Sequence, residues 1–196
     1  MTTYEAPTLA GVVFPRSRVA TITMMIGFAL LTALAAQIRI PVPGTPVPIT
    51  GQTFAVLLAG AALGSRAGAG SQAIYWALGA IGLPFYANAS GGWEAATGAT
   101  AGYLVGFIAA AWVVGALAER GQDRNVWSAI PAFLAGNAVI YAFGVTWLLV
   151  SVEGIATMSE ALTAGFTPFV IGDVVKILGV GLLLPLAWKL VDWSRR

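Results

Sequence analysis

Long apolar stretches alternate with short polar segments along most of this 196-residue chain. Because an α-helix needs about 20 apolar residues to cross the hydrocarbon core of a bilayer, each long stretch predicts a membrane span. Six spans follow from this pattern, at about residues 19–38, 52–65, 67–83, 99–118, 128–150 and 168–190. We therefore predict an all-α integral membrane protein in which six transmembrane helices form one compact bundle. A single transmembrane domain would occupy residues 1–196, with residues 1–18 as its N-terminal segment.

The second predicted span is the shortest of the six. At a rise of about 1.5 Å per residue, its roughly 14 residues reach about 21 Å, less than the roughly 30 Å of the hydrocarbon core. We expect this helix to lie among the others or to begin within the preceding loop. The segment GSRAG at 64–68 leaves room only for a tight hairpin between spans two and three.

Basic residues are distributed unevenly between the two sides of the predicted bundle. With the N-terminus inside the cell, the outer side carries Arg39 alone, and Lys176 lies within a span. The inner side carries the other eight, namely Arg16, Arg18, Arg66, Arg120, Arg124, Lys189, Arg195 and Arg196. Because loops rich in Lys and Arg stay in the cytoplasm, this asymmetry predicts that both termini are cytoplasmic.

Composition excludes several classes of function. Charged residues make up 9% of the chain, against roughly 25% in soluble domains. The chain contains no cysteine and no histidine, so it has neither a thiol nucleophile nor an imidazole base. It has no G-x-x-x-x-G-K-[ST] phosphate loop, since Lys176 and Lys189 are followed by Ile and Leu. A net charge of +2 is too small to indicate binding of nucleic acid. We expect no enzymatic activity and no cofactor or metal.

Two predicted outer loops have unusual compositions. IRIPVPGTPVPITGQ at 38–52 places four of the ten prolines within eight residues, and predicts a stiff cap because proline fixes φ. LPFYANASGGWEAATG at 83–98 mixes aromatic, amide and glycine residues. Its NAS triplet at Asn88 also fits a glycosylation signal, but we interpret the loop as facing a ligand. These loops indicate that the function lies at the outer face.

The segment IGDVVKILG at 171–179 carries two charges inside a predicted span. Asp173 and Lys176 are three residues apart, so they share a helix face and can form a simple ion pair that lowers the cost of insertion. If the helix starts near Pro168, they lie about 8 Å and about 12 Å below its outer end. Charges at such depth usually face a cavity or a partner, so we predict a functional role for both.

Small residues recur at helical spacing in two places. Gly98, Gly102 and Gly106 recur every fourth residue, and Ala29 and Ala33 form a shorter ridge on the first span. Small residues let helices approach closely in lipid, so internal packing is the simplest interpretation of both rows.

Four motifs together resemble the BioY family, the biotin-specific S components of energy-coupling-factor (ECF) transporters. They are ALLTALAAQIRIPVPGTPVPITGQTFAVLLAGAALGSRAG, GLPFYANASGG, TGATAGYLVGF and GDVVK. The resemblance covers residues 24–188 or so, in the family's order. One departure is GATAGY at 98–103, where the family tends to have Gly-Pro-Thr-Gly-Gly-Tyr, and it affects the expected entry angle of the fourth helix.

The resemblance implies a six-helix bundle that binds biotin in a cavity near the outer face, beneath the loop after the first helix. It implies a multi-pass protein of the bacterial cytoplasmic membrane whose partners are a transmembrane coupling subunit and two ATPase subunits. Separate ATPases would match the missing phosphate loop. S components dock to the coupling subunit through small residues on the first helix, and Ala29 with Ala33 fits that A-x-x-x-A arrangement.

The resemblance also suggests roles in binding. We expect Asp173 to accept a bond from a urea N–H of biotin, and Lys176 to donate to the urea carbonyl or to balance the aspartate. Aromatic packing, orienting amides and a hydroxyl complete the predicted set: Tyr86, Trp93, Tyr103, Gln52, Asn88, Asn137 and Thr100. The aromatic residues could equally belong to an interfacial belt.

Three alternatives stay open from the sequence. The chain could be an S component for another small vitamin, an intramembrane enzyme of unusual mechanism, or a structural or assembly subunit. Binding of labelled biotin separates the first of these from the leading interpretation.

Overall fold

The structure, a computed structural model, describes residues 8–14 and 17–194. Its α-helices are α1 (Leu9–Val13), α2 (Arg18–Gln37), α3 (Gln52–Leu63), α4 (Ser65–Ala80), α5 (Trp93–Thr97), α6 (Ala101–Ala118), α7 (Val126–Ser151), α8 (Met158–Gly165) and α9 (Val170–Ser194). Two strands, β1 (Arg39–Ile40) and β2 (Ile49–Thr50), pair antiparallel between α2 and α3. Single 3₁₀ turns occur at Ala87–Ala89 and Thr167–Phe169. The fold is therefore a helical bundle with a small hairpin at one end, which we call the hairpin end.

Each of the six predicted spans coincides with one helix, namely α2, α3, α4, α6, α7 or α9. Among the described residues, four stretches are long and apolar enough to cross a membrane: Arg18–Gln37, Ala101–Ala118, Val126–Ser151 and Met158–Trp193. α3 and α4 are shorter, at 12 and 16 residues. Of the basic residues assigned to the inner side, Arg16, Arg195 and Arg196 lie outside the described residues, as does the start of the N-terminal segment.

α3 lies at the centre of the bundle. It packs against α2, α4, α6 and α9, and Ala55, Val56, Leu57 and Ala59 are completely buried. Because neighbouring helices cover most of α3, a helix of this length can be accommodated inside a bundle. Of the two arrangements expected for residues 52–65, the structure shows the one in which the helix lies among other helices.

Glycines let α3, α4 and α6 approach one another closely. A Cβ atom placed on Gly60 would lie 2.6 Å from the carbonyl oxygen of Ala111. A Cβ atom on Gly115 would lie 2.5 Å from the Ser65 Cα atom. Both distances are shorter than van der Waals contact, so only glycine fits at these two positions of the helix interfaces.

The glycine row predicted at the start of the fourth span serves internal packing. A Cβ atom on Gly106 would lie 3.1 Å from the Cα atom of Ile140 on α7. Gly98 precedes α6, and its carbonyl accepts a hydrogen bond from Trp147 Nε1 at 2.9 Å. α6 and α7 therefore pack closely together, and they carry one wall of the site described below.

Ala29 and Ala33 do not lie on an outer surface. Their exposed fractions are 0% and 7%, and both belong to the larger apolar core cluster. The side of α2 away from the bundle instead presents large apolar residues such as Leu30 and Leu34. With both side chains inside the bundle, their docking to a coupling subunit stays a prediction. Internal packing is the interpretation that fits.

Two short helices lie in segments that we predicted as loops. α5 follows Gly92, and α8 begins with a capping box in which Thr157 Oγ1 accepts from the Glu160 N–H at 3.3 Å. In return, Glu160 Oε2 accepts from the Thr157 N–H at 3.0 Å. The sequence T-M-S-E carries this signature, so the start of α8 was predictable from the residues alone.

At the end opposite the hairpin, two carboxylates fix the connection between α6 and α7. Glu119 Oε1 accepts bonds from the backbone N–H and the hydroxyl of Ser65, at 2.7 and 2.9 Å. Asp123 is buried and accepts a bond from Trp188 Nε1 at 2.6 Å. Burial raises the pKa of the Asp123 carboxyl above its usual range. These bonds join α4, α6 and α9 at the closed end of the bundle.

We expect Gly115→Ala to destabilise the protein by about 1 to 3 kcal/mol, because the added methyl group meets the backbone at the start of α4. Gly27→Ala is the matched control, since a Cβ atom there meets no described atom within 4 Å. Thermal unfolding in detergent should show a lower midpoint for the first variant only. Equal midpoints for the two variants would show that the α4–α6 contact is loose.

Candidate ligand-binding site

A narrow cavity lies inside the hairpin end of the bundle. Its walls come from β2 and the residues just before it, the first turns of α3, α6 and α9, the middle of α7, and the loop before α5. The space between the atoms amounts to about 610 Å³ with the open mouth included, but only about 70 Å³ of it is wide enough to hold water. Apolar and aromatic side chains predominate, including Tyr103, Leu104, Phe107, Ile140 and Phe169.

Asp173 forms the polar floor of this cavity. Its side chain is almost entirely buried, and Lys176 Nζ lies 2.9 Å from Oδ1. The other oxygen, Oδ2, accepts a bond from Asn137 Nδ2 at 3.1 Å and one from the Tyr141 hydroxyl. The charge of the carboxylate is therefore balanced by one cation and shared among three donors, as a buried ion requires.

Helical spacing explains how these four side chains meet. Asp173 and Lys176 are three residues apart on α9, and Asn137 and Tyr141 are four residues apart on α7. Each pair therefore lies on one face of its helix, and α7 packs against α9. Tyr141 was missed in the sequence analysis. Its spacing from Asn137, which was predicted, is the signal that could have identified it.

Tyr141 is also part of an aromatic wall. Its ring makes edge-to-face contacts with Tyr103 at 6.4 Å and with Phe166 at 4.8 Å between ring centroids. Tyr103 donates its hydroxyl to the Gly165 carbonyl at 2.7 Å, and its ring lies against Gly144. On its far side Tyr141 lines a second groove on the outside of the bundle, between α7 and α8. The ring of Tyr141 thus separates the outer surface from Asp173 and the side chains bonded to it, which we call the Asp173 group.

Gln52 lines the opposite wall, where other protein groups use its amide. Its Nε2 donates to the Tyr75 hydroxyl at 2.6 Å, and its Oε1 accepts from the Thr50 hydroxyl at 2.8 Å. The ring of Tyr75 stands edge-on to Tyr86 at 5.6 Å. Gln52 therefore holds the wall together and joins β2 to α3 and α4.

Tyr86 lines both the cavity and its mouth. Its hydroxyl donates to the Trp76 carbonyl at 2.6 Å, and its ring lies against Gly79, where a side chain would collide with it. Burial raises the pKa of Tyr86 to about 12, so the hydroxyl stays protonated at neutral pH. Thr100, the other predicted binding residue in this region, also lines both the cavity and its mouth.

The structure places two predicted binding residues away from the cavity. Trp93 is 63% exposed, and its ring packs on Trp76 with 6.3 Å between centroids. Asn88 lies on the outer side of its loop, where Oδ1 accepts a bond from Arg39 Nη1 at 3.4 Å. Whether a side chain faces the cavity or the outside depends on the tertiary structure. Hydropathy and residue type alone therefore did not distinguish Trp93 and Asn88 from Tyr86.

Two buried polar atoms near Asp173 have no hydrogen-bond partner among the described residues. They are Thr53 Oγ1, on the cavity wall, and Asn137 Oδ1, on the amide that supports Asp173. A buried polar atom without a partner costs free energy, and a ligand with complementary groups would remove that cost. Thr53 had no distinguishing signal in the sequence.

Comparison with known proteins agrees with this arrangement. The chain is 40% identical over 168 residues to the biotin transporter BioY of Thermotoga maritima, covering 86% of this chain and 95% of that protein. It is 41% identical over 163 residues to the biotin transporter BioY of Rhodobacter capsulatus, covering 79% and 85%.

A solved structure shares the fold. The crystal structure of the S-component for biotin from an ECF-type ABC transporter superimposes with a TM-score of 0.80 and 23% sequence identity, covering 90% of this chain and 95% of that one. The model of the BioY family matches residues 7–193. With that match over nearly its whole length and relatives at 40% identity, the chain belongs to the BioY family.

Proposed function

We propose that this protein binds biotin and takes it up across the cytoplasmic membrane of a bacterium, as the substrate-specific subunit of an ECF-type transporter. The observation that carries the proposal is the buried Asp173 group at the floor of a cavity inside a membrane bundle. The names of the relatives, which describe biotin transport, support the same ligand. Those names describe transport and not catalysis, in agreement with the expectation that the chain is not an enzyme.

The chemistry of the floor suits the ring urea of biotin, which has two N–H donors and a carbonyl. A carboxylate can accept about four hydrogen bonds, and Asp173 accepts three from the protein, so one position is left for a urea N–H. Asn137 is not among the residues that line the cavity, and it supports the site through its bond to Asp173. Lys176 keeps donors beyond the one used by Asp173 and can bond the urea carbonyl.

The walls suit the apolar ring and chain of the ligand. Tyr103, Phe107 and Phe169 surround the space above Asp173. A ring system must widen this narrow cavity on entry, and Val47 and Pro48 of the hairpin are among the residues that it would meet. The hairpin is held at its base by the β1–β2 pairs Arg39↔Thr50 and Ile40↔Ile49, and Val47, close to β2, packs into the core cluster.

We propose that the domain spans the membrane six times, with both termini in the cytoplasm and the hairpin end facing outward. In this arrangement α3 and α4 count as spans two and three although they are short. A transmembrane coupling subunit and two ATPase subunits would assemble with the chain, and its own transport step would use no cofactor. The missing phosphate loop supports ATP hydrolysis by separate chains.

Asp173→Asn should weaken biotin binding by more than tenfold, because a charge-assisted hydrogen bond contributes about 1.5 to 3 kcal/mol. Asp192→Asn, the same change at an exposed position of the same helix, is the control. Titration calorimetry with purified protein measures both affinities. An unchanged affinity in a folded Asp173→Asn variant would remove Asp173 from the site, and no binding by the wild type would contradict the proposed ligand.

Lys176→Met should destabilise the fold by about 3 kcal/mol or more, since it leaves a buried carboxylate without its cation. The double variant Asp173→Asn/Lys176→Met should regain most of that stability, because the charge is removed together with its partner. Thermal unfolding of the two variants measures the difference. Equal stability of the single and double variants would show that Lys176 does not balance Asp173.

The chain has no cysteine, so single cysteines can report its topology. We expect Ser159→Cys to react with a membrane-impermeant maleimide in intact cells, and Ser17→Cys and Arg120→Cys to react only after permeabilisation. All three positions are exposed. Labelling of the last two in intact cells would contradict the proposed orientation.

A further inference from the structure

A second space adjoins the cavity at its mouth. This mouth hollow has a volume of about 250 Å³ and includes Arg39 and Asn88 in its lining. It shares four residues with the cavity, namely Pro48, Tyr86, Ala87 and Thr100. A molecule longer than the cavity would therefore extend from the Asp173 floor into the mouth hollow.

The two ends of this continuous space differ in charge. At the floor, Lys176 balances Asp173, so the pair carries no net charge. At the mouth, no carboxylate of the described residues lies within ion-pair distance of Arg39, and the mouth hollow has no acidic residue in its lining. The floor suits a neutral hydrogen-bonding group, whereas the mouth suits an anion.

Arg39 is held in position from two sides. Its backbone pairs with Thr50 in the hairpin, and its guanidinium donates to Asn88 Oδ1 at 3.4 Å. Asn88 and Ala89 have φ values of 66° and 50°, a left-handed conformation that persists only where the surroundings fix it. Gln37 supplies that support, since its Oε1 accepts from the Ala89 N–H at 2.9 Å and its Nε2 donates to the Tyr86 carbonyl at 3.2 Å.

Resting on the proposed function, we propose that Arg39 binds the carboxylate of biotin at the mouth, which orients the ligand with its urea toward Asp173. Asn88 acts as a positioning residue that aims the guanidinium across the mouth hollow. A planar guanidinium can hold a carboxylate with two parallel N–H bonds. Arg39 thus selects for an acidic chain end.

The test compares biotin with biotinamide, whose uncharged carboxamide replaces the carboxylate. Calorimetry on the purified full chain gives both affinities for the wild type, Arg39→Gln, Arg39→Lys and Arg66→Gln, the last being an exposed cation away from the mouth hollow. We expect Arg39→Gln to weaken biotin binding by about tenfold and to leave biotinamide binding unchanged. Arg39→Lys should retain part of the preference for the acid, and Arg66→Gln should match the wild type.

Asn88→Ala separates positioning from direct contact. If Asn88 only aims Arg39, its loss should reduce biotin affinity and spare biotinamide. Two results would overturn this inference alone, provided that the wild type binds biotin. In the first, Arg39→Gln binds biotin as tightly as the wild type does. In the second, Arg39→Gln loses affinity for biotin and for biotinamide equally. Equal losses of both ligands in Asn88→Ala would overturn the positioning role. A wild type that binds neither ligand would contradict the proposed function as well.

Discussion

The negative charge of one buried carboxylate, Asp173, must be neutralised, and this requirement determines how the helices pack at the hairpin end of the bundle. An unpaired charge in hydrocarbon is costly, and Asp173 avoids that cost through Lys176 on its own helix and through Asn137 and Tyr141 on α7. Satisfying these bonds fixes the rotation of α7 and α9 about their axes. These bonds also position the aromatic wall, because Tyr141 is held by its hydroxyl at Asp173 and by its ring against Tyr103 and Phe166.

Close packing of α3 makes room for this arrangement. A helix of 12 residues is too short to cross the bilayer with its own apolar surface, so its neighbours must cover it. Gly60 permits the close approach of α3 to α6, and Gly115 permits that of α4 to α6. The starting turn of α3 then lies below the hairpin, where Gln52 can bond to Tyr75 and Thr53 can face the cavity.

Hydropathy and helical spacing predict much of this structure from the residues. Long apolar runs located all six principal helices, and the spacing of Asp173 and Lys176 predicted their pairing. The resemblance to the family supplied Tyr86, Thr100 and Tyr103, which line the cavity. Local patterns could not show that Trp93 is exposed or that Ala29 and Ala33 are buried, because both depend on how separate helices pack. Tyr141 was missed although its spacing of four residues from the predicted Asn137 places both on one face of α7.

The ring of Tyr141 forms part of two surfaces, the cavity on one side and the groove between α7 and α8 on the other. Exposed residues such as Met158, Leu162 and Phe166 line that groove, which lies on the outside of the bundle. In a bilayer, acyl chains would fill it and press against the same ring that bonds Asp173. Any molecule in that groove would therefore lie one aromatic ring away from the carboxylate of Asp173.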